Sequence, residues 1–493
     1  MKKVKLAVLA IIFSGSTAFA GGILTNTNQS ISFLRNPARD GAIGLDGVYS
    51  NPAGVAFLSD GFHLGFNWQY AHQTRTIVST NPVFALGRKN QGATEKEFEG
   101  SADAPFIPSL QAAYNHNGWS FQFNFSVPGG GGKCEFSNGL GSFESVVGSL
   151  ATMLAPFGAS GYDMDGYMQG RQYYFGFQFG AAYKIKENLS VYGGLRILYG
   201  TGTYRARISN IQVRTEGNSY LDFGSFLGAT ETKIDAGLSQ VNAGIAQYEA
   251  MGAPVPAELI AQREQLESTK TSLGGLQKYS AGVNLLCNQS GVGIAPIVGI
   301  DYRFGRFNIA AKYEFKTQMR MKNESTVFEA SEIASVNKFR DGEKIHEDSP
   351  ALLAAGFQWS PVDAVRLNLG YHHYFDKDVS WYNNSQDLLD HDSNEYLAGV
   401  EWDINDRFTV SVGGQLTRYG LSDEYMNDMS FVVNSYSLGF GADYKVSDRV
   451  TLRAAYFQTN YDHYDRVTSN TPLISDSFTR TNRVLGLGCQ VDF

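Results

Sequence analysis

The sequence predicts an all-β fold, a 14-stranded antiparallel transmembrane β-barrel with long extracellular loops. Three observations predict it. Apolar and polar residues alternate over segments of about ten residues, short and long connections alternate along the chain, and an aromatic residue precedes each short connection. An even number of antiparallel strands with short turns at one end and long loops at the other is typical of outer-membrane barrels.

Composition excludes several other classes of protein. Only 18% of the 493 residues are charged and 13% are aromatic, so the chain is not disordered. The formal net charge is −8, so the composition does not indicate the basic surface that a nucleic-acid-binding protein needs. Mean hydropathy is −0.22, too low for a bundle of transmembrane helices. Fifty-four glycines and abundant Tyr and Phe favour a large β-protein.

Residues 1–20 have the features of a secretory signal peptide. Lys2, Lys3 and Lys5 form a positive start, residues 4–13 are apolar, and Ala18-Phe19-Ala20 fits a cleavage site. The apolar run is too short for a transmembrane helix. We therefore expect an exported chain in the bacterial outer membrane of a Gram-negative cell.

Residues 21–60 lack the alternation and are predicted to form turns and short helices. They are rich in small residues, and Asn-Pro-Ala occurs twice, at 36–38 and 51–53. Proline fixes its own φ and keeps the preceding residue out of a helix. This segment is either a periplasmic tail or a plug inside the lumen, and composition does not separate the two.

Residues 61–493 carry the barrel alternation. Two representative apolar rows are Tyr173, Phe175, Phe177, Phe179, Ala181 and Tyr183, and Leu485, Leu487, Cys489, Val491 and Phe493. The six short connections are 115–118, 186–188, 305–306, 360–364, 405–407 and 447–449. The seven long ones are 80–104, 129–170, 205–292, 321–348, 378–393, 421–432 and 465–479. Thirteen connections join 14 strands.

The largest outer segment, 205–292, contains two features of its own. Residues 232–273 lack the strand alternation and predict a helix, which includes the charged, Ala- and Gln-rich run 257–271 and is broken at Pro254 and Pro256. Residues 276–288 alternate like a strand, but an even strand number assigns them to the outer segment.

An aromatic residue lies on the apolar face just before every short turn. Tyr and Trp favour the boundary between membrane and water, so this set predicts a periplasmic girdle. The six residues are Tyr114, Tyr183, Tyr302, Trp359, Trp402 and Tyr444.

The sequence offers little support for an enzyme, a cofactor or a metal site. No cysteine–histidine cluster has zinc spacing, and the adjacent His372 and His373 of one strand face opposite ways. The three cysteines exclude a full disulfide framework. Cys134 and Cys287 could pair outside the membrane, or they could be two unrelated small residues.

Two stretches carry a resemblance to a known family. Residues 48–61, VYSNPAGVAFLSDG, and the strand end at 125–128 with its following glycines resemble the hatch and third strand of the FadL-type outer-membrane transporters. The resemblance implies that residues 21–60 form a hatch in which Asn51, Pro52, Ala53 and Gly54 help to plug the barrel. It also implies a lateral gate at Pro128, Gly129 and Gly130, where the third strand kinks.

The resemblance implies passive uptake of hydrophobic compounds, long-chain fatty acids foremost, by capture in outer loops, hatch movement and lateral release through the barrel wall. Inward positions that suit a ligand carboxylate are Arg196, Lys312, Arg366 and Arg453. Apolar positions at near-helical spacing that suit capture, or packing of a loop helix on the rim, are Phe136, Phe143, Leu150, Leu154 and Phe157.

The expected partners follow from this interpretation. They are a hydrophobic small molecule, outer-membrane lipid and the barrel-insertion machinery, which recognises a terminal aromatic such as Phe493 in such barrels. We expect a monomer and no nucleic acid. A general porin for polar solutes and a surface adhesin remain the alternatives.

Overall fold

Fourteen antiparallel strands close into a barrel in the computed structural model, which confirms the predicted architecture. The structure describes residues 25–277, 279–329 and 334–493, and the predicted signal peptide lies outside these ranges. The wall strands are β1 (Gly61–Thr80), β2 (Glu95–His116), β3 (Trp119–Phe136), β4 (Gly161–Lys186), β5 (Leu189–Arg214), β7 (Val283–Phe304), β8 (Phe307–Glu314), β11 (Leu352–Val362), β12 (Val365–Tyr374), β13 (Ser393–Asn405), β14 (Phe408–Arg418), β15 (Ser435–Ser447), β16 (Val450–Tyr461) and β18 (Leu473–Asp492). The first and last strands pair with each other and complete the ring.

Four further strands lengthen the wall at its outer end. They are β6 (Tyr220–Asp222), β9 (Arg320–Ser325), β10 (Lys344–His346) and β17 (Tyr464–Asn470). Strand β9 continues the ladder of β8 along β7, and β17 pairs with the outer part of β18. The ladder therefore extends well above the lipid, which shortens the loops relative to the sequence prediction.

The two faces of the wall have opposite polarity, as period-two alternation requires. Inward side chains such as Gln111, Asn124 and Gln178 are buried and polar, whereas Phe66 and Leu487 are exposed on the outer surface. The six predicted girdle residues all face outward, with exposures from 39% for Trp359 to 52% for Trp402. They form a band at the short-turn end.

Four α-helices accompany the barrel in the described part of the chain. They are α1 (Ile31–Arg35), α2 (Gly141–Met153), α3 (Phe223–Ala250) and α4 (Ala257–Gln277). Within the described part of the chain, no helix is both long and apolar enough to cross a membrane.

The long loops form an outer cap, which comprises the outer strand ends, α2 and the lower parts of α3 and α4. Its hydrophobic core includes buried aromatic residues from many loops, so the cap is a packed structure. Those aromatic residues are Phe98, Phe136, Phe143, Tyr162, Tyr204, Phe223, Phe226, Phe339, Trp381, Tyr425, Phe431 and Phe478.

The outer segment that the sequence predicts at 205–292 is shorter in the structure. Strand β5 continues to Arg214, and β7 begins at Val283. The two strands pair from Ile208–Val283 toward the short-turn end of the barrel. The alternating segment 276–288 therefore divides between the end of α4, a turn and the first residues of β7. It adds no fifteenth strand. Helices α3 and α4 form an antiparallel hairpin interrupted where Pro254 and Pro256 predict a break.

Cys134 and Cys287 do not form a disulfide. Both are buried as free thiols, and Cys489 is also free. Cys134 lies on β3 and Cys287 on β7, which are separated in the ring by β4 and β5. The alternative of two unrelated small residues is therefore correct.

Candidate functional site

The hatch, residues 25–60 in the described chain, fills the lumen. Helix α1 begins after Ser30, whose hydroxyl accepts a hydrogen bond from the Phe33 amide at 3.1 Å. Ile31 and Leu34 are fully buried and pack with Phe457 and Val484 of the wall. Since this one short helix touches β1, β14, β15, β16 and β18, it lies inside the barrel.

The Asn-Pro-Ala motif at 51–53 fixes the hatch to the wall near the short-turn end. The Asn51 amide donates to Asp301 at 2.6 Å and accepts from the Gly54 amide at 3.1 Å. The carbonyl of Pro52 accepts from Gln122 at 2.7 Å, and that of Ala53 accepts from Ser190 at 2.7 Å.

Gly54 completes the same corner, because a side chain there would not fit. A Cβ at Gly54 would lie 2.8 Å from the Asp301 carboxylate and would overlap the Asn51 amide. The motif thus bonds to β3, β5 and β7.

Buried ion pairs hold the other side of the hatch. Arg39 pairs with Asp46 within the hatch at 2.8 Å and with Glu401 of β13 at 2.9 Å. Arg35 pairs with the same Glu401 at 2.8 Å and with Asp443 at 3.0 Å. Breaking such a pair from one side leaves a buried charge without its partner, at a cost of about 3–5 kcal/mol.

The wall is interrupted between β2 and β3. These strands pair at Ser101–Glu135 and again from Leu110–Phe125 to the turn, with no paired residues in between. Residues 102–109 and 126–134 therefore form a gap in the ladder. Pro105 and Pro108 lie on one edge and Pro128 on the other, and proline cannot donate to a ladder.

Strand β3 bends into the lumen at this gap. Residues 126–129 are buried in succession, so the alternation of its faces stops there. Gly130 and Gly132 have φ values of 94° and 74°, and a Cβ at Gly130 would overlap the carbonyl of Gln172. The predicted gate residues Pro128, Gly129 and Gly130 thus form the inward bend.

The start of the hatch occupies the gap from inside. The Asn26 amide donates to the Pro128 carbonyl at 2.9 Å. Gln29 accepts from the Val127 amide at 3.0 Å and donates to its carbonyl at 3.1 Å. On the opposite edge Ser109 donates to the Gln29 carbonyl at 2.5 Å. Gln29 therefore bridges the two strands that do not pair with each other.

Four inward basic residues were predicted as carboxylate ligands, and all four have partners. Arg196 forms an ion pair with Glu314, and Lys312 donates to the Tyr49 carbonyl at 2.8 Å. Both cations also lie over the Tyr49 ring of the hatch, at 4.8 and 4.7 Å from its centre.

The other two predicted cations lie toward the short-turn end. Arg366 makes a bidentate contact with Asp403 at 2.6 and 2.7 Å, and Arg453 pairs with Asp443 at 3.3 Å. An anionic ligand at any of the four would have to displace a partner, so their role as ligand residues stays a prediction.

The five predicted capture residues lie in the outer cap. Phe136 ends β3, Phe143 and Leu150 are on α2, and Leu154 and Phe157 follow it. The first four are nearly inaccessible, and Phe157 packs against the same core. They form an apolar region on the outer side of the gap. Their role in capture stays a prediction.

The lumen is closed beside the gap. A cavity of about 20 Å³, lined by Pro128, Gly129, Tyr174, Arg196 and Glu314, has room for about one water molecule. A larger ligand could pass this point only if residues that line the cavity moved, Thr25 of the hatch among them.

Several residues of this site escaped the sequence analysis. Two prolines in one strand, Pro105 and Pro108, indicate from sequence that this strand lacks some ladder hydrogen bonds. Their position just after the predicted connection 80–104 hides this indication. No sequence pattern marks Gln29 and Asp301, because their roles arise from contacts between distant parts of the chain.

Comparison with known proteins gives a likeness of fold. No protein-family model matches the sequence, and no curated protein matches it. Among solved structures, a Pseudomonas aeruginosa FadL homologue superposes with a TM-score of 0.60 at 11% identity, covering 95% of this chain and 99% of that chain. The P. putida toluene transporter TodX superposes with a TM-score of 0.52 at 13% identity, covering 98% and 99%. The chain therefore has the fold of the FadL-type outer-membrane channels.

Proposed function

We propose that this protein is a passive channel of the bacterial outer membrane that takes up hydrophobic compounds. The observation that carries the proposal is the gap between β2 and β3, bridged from inside by Gln29 of the hatch. A barrel that conducts polar solutes does not need an opening toward lipid. We propose that it works as a monomer and performs no chemical reaction.

The outer cap is the proposed place of capture. Its apolar core contains the five residues Phe136, Phe143, Leu150, Leu154 and Phe157. Moving apolar surface out of water contributes about 25 cal/mol per Å², so a hydrophobic molecule in the polar outer layer gains free energy by entering such a region.

The gap at Pro128, Gly129 and Gly130 is the proposed exit. Displacing residues 25–29 would leave the inner edge of β3 without partners and open a path into the bilayer. Release into lipid suits a hydrophobic molecule, because it avoids the aqueous periplasm. We propose this lateral release from the position of the gap and from the contacts that residues 25–29 make with both of its edges.

Long-chain fatty acids are the first substrate class to test, and monoaromatic hydrocarbons the second, given the toluene transporter among the structural neighbours. Uptake of labelled oleate and toluene is measured in cells lacking their own transporter. At least one compound should enter several-fold faster than in cells with an empty vector. No gain for either compound would contradict the proposal.

A recording in planar bilayers separates this function from a general porin. Because the hatch fills the lumen, we expect little steady conductance of small ions. Large, steady conductance would favour the porin alternative.

A further inference from the structure

The outward face of the barrel wall becomes polar just beyond its last apolar row. That row crosses three neighbouring strands as Phe175 on β4, Tyr199 on β5 and Val292 on β7, which are paired in register. Tyr199 and Val292 are 42% and 59% exposed, as lipid-facing side chains should be. Successive outward rows lie about 7 Å apart along the strands, so long side chains one or two rows farther out reach the headgroup layer of the membrane.

Exposed cations occupy these outer rows on β3–β5 and on β9–β10, and we call them the basic face. Their neighbours in each strand are buried on the inner side, as Gln172 and Tyr204 show, so the basic side chains point away from the barrel. The members of the basic face are Lys133, Arg171, Arg205, Lys322 and Lys344.

The register places these cations directly opposite one another. Lys133 of β3 pairs with Arg171 of β4, and Lys322 of β9 pairs with Lys344 of β10. Arg205 lies diagonally from Arg171, one row farther out on β5. Directly opposed like charges destabilise a sheet, so two such pairs on one face indicate a role that requires positive charge there.

The acidic residues nearby do not neutralise the basic face. Glu135 pairs with Lys133 at 2.5 Å, and Glu324 shares the outer face of β9. The other four cations form no ion pair with any residue that the structure describes, and only Arg171 makes a hydrogen bond, to the Thr203 hydroxyl at 3.0 Å. Most of the basic face is therefore available to an external anion.

The outer rows at the closing seam of the barrel are neutral by contrast. Thr74 and Thr76 of β1 face outward there and pair with Thr481 and Thr479 of β18. A boundary with water therefore does not by itself require cations in this wall. The basic face belongs to one sector of the barrel, from β3 to β10.

Position decides what such a face meets. It points into the layer that surrounds the barrel just outside the hydrocarbon, where the available partners are lipid headgroups. In the outer leaflet of a bacterial outer membrane these belong to lipopolysaccharide, whose lipid A moiety carries phosphates on a disaccharide. Guanidinium groups bind phosphate through paired hydrogen bonds, and lysine binds it as a point charge.

We propose that the basic face binds the phosphates of lipid A, at one end through Lys133, Arg171 and Arg205 and at the other through Lys322 and Lys344. Strands β4 and β9 are three ladder spacings apart, about 14 Å, which suits phosphates at opposite ends of a disaccharide. Since Lys133 lies on the edge of the β2–β3 gap, the bound lipid covers the wall beside the gap. The inference goes beyond the proposed uptake function and does not depend on the cargo.

Binding of lipid A to the purified full chain in non-ionic detergent, measured by native mass spectrometry, tests the site. Wild-type protein should bind diphosphoryl lipid A at least tenfold more tightly than lipid A stripped of its phosphates. Two double variants, one for each end of the basic face, should each weaken binding of diphosphoryl lipid A about tenfold and leave the phosphate-free lipid unchanged. They are Arg171→Gln with Arg205→Gln, and Lys322→Gln with Lys344→Gln.

A matched control removes the same charge elsewhere on the outer wall. Arg418 of β14 and Arg483 of β18 face outward on strands that do not belong to the basic face. Arg418→Gln with Arg483→Gln should change neither affinity. Heat-modifiable migration on gels verifies assembly of all the double variants, whose changed side chains face outward.

Equal wild-type affinity for the two forms of lipid A, unchanged affinity in both test variants, or an equal loss in the control would overturn the inference. Competition by inorganic phosphate at equal concentration would also overturn it, by assigning the basic face to a free anion. Equal affinity for phosphatidylglycerol would do so by assigning it to anionic lipid in general. Because no transport is measured, a failure of the proposed uptake function would leave each of these results unchanged.

Discussion

At the scale of single residues, Asn51 links the hatch to the wall through one short contact. Its amide donates to Asp301 at 2.6 Å and to the Ala42 carbonyl at 3.2 Å. Asn51→Asp replaces these donors with a carboxylate facing a carboxylate. We expect a loss of about 1.5–3 kcal/mol in the stability of the hatch corner, measured as faster hydrogen exchange in residues 41–56.

A reciprocal exchange provides the control for this prediction. Asp301→Asn in the Asn51→Asp background restores one amide and one carboxylate with the same shapes. Exchange in residues 41–56 should then return toward the wild-type rate. If the double variant exchanges as fast as the single one, the Asn51–Asp301 contact does not hold the hatch.

The same contact shows what sequence can and cannot provide at this scale. Asn51 is identified by the resemblance of residues 48–61 to a known hatch, which is visible in one local stretch of sequence. Asp301 was missed because its role depends on a hatch residue 250 positions away.

At the scale of elements, the bend of β3 depends on glycines that are not equivalent. A Cβ at Gly129 would lie 3.0 Å from the Tyr174 ring, whereas Gly130 has a positive φ and no room beside the Gln172 backbone. Gly129→Val should therefore assemble and reduce oleate uptake about tenfold by stiffening the exit. We expect any bulky residue at Gly130 to impair assembly as well.

Gly193→Val is the matched control for the bend. Gly193 is exposed on β5, and a Cβ there meets nothing within 4 Å. Heat-modifiable migration on gels measures assembly for both variants, and labelled oleate measures transport. Normal uptake by a correctly assembled Gly129→Val protein would remove the case for a lateral exit.

The loop between β12 and β13 contains a buried carboxyl that makes the outer cap sensitive to pH. Asp376 accepts a hydrogen bond from the Ser393 amide at 3.1 Å, and burial raises its pKa from 3.8 to about 7. Between these values the folded loop holds a proton that the unfolded loop releases. Its stability should therefore fall as pH rises from about 4 to about 7 and change little above that range.

Hydrogen exchange in residues 375–392, corrected for the intrinsic effect of pH, measures this dependence. Asp376→Asn should abolish most of it, and Asp378→Asn, at an exposed position of the same turn, should leave it intact. A pH dependence that persists in Asp376→Asn would assign the effect to another group. Asp428 is a candidate, since burial raises its pKa to about 6.

At the scale of the whole molecule, strand number was easier to predict than strand length. The count followed from two local signals, the period-two rows that cross the membrane and the six short turns at its periplasmic edge. Above the lipid both wall faces contact protein or water, so hydropathy no longer alternates cleanly. The extension of β5 to Arg214 therefore resembles a loop in sequence. The start of β7 at Val283 does alternate, and only the even strand number assigned it to the outer segment; pairing with β5 decides both.

The helical hairpin α3–α4 is the part of the molecule least tied to the barrel. Helix α3 has 28 residues and rises about 42 Å, but the residues that join the hairpin to the cap core lie near its base. These are Phe223, Phe226, Leu227, Ile234, Leu273 and Leu276. Gly237 and Leu266 meet just above them, and beyond this point the two helices pack mainly on each other.

Replacing residues 239–264 by a short Gly-Ser loop should therefore leave assembly and uptake of oleate and toluene within about twofold of the wild type. Removing 224–277 also deletes most of the base, so it should open the cap and reduce uptake, which makes it the contrasting variant. Lost uptake in the trimmed protein would place capture on the distal hairpin and not in the cap core. Unchanged uptake combined with lost binding of cells to a surface would instead give the distal hairpin the adhesive role that the sequence left open.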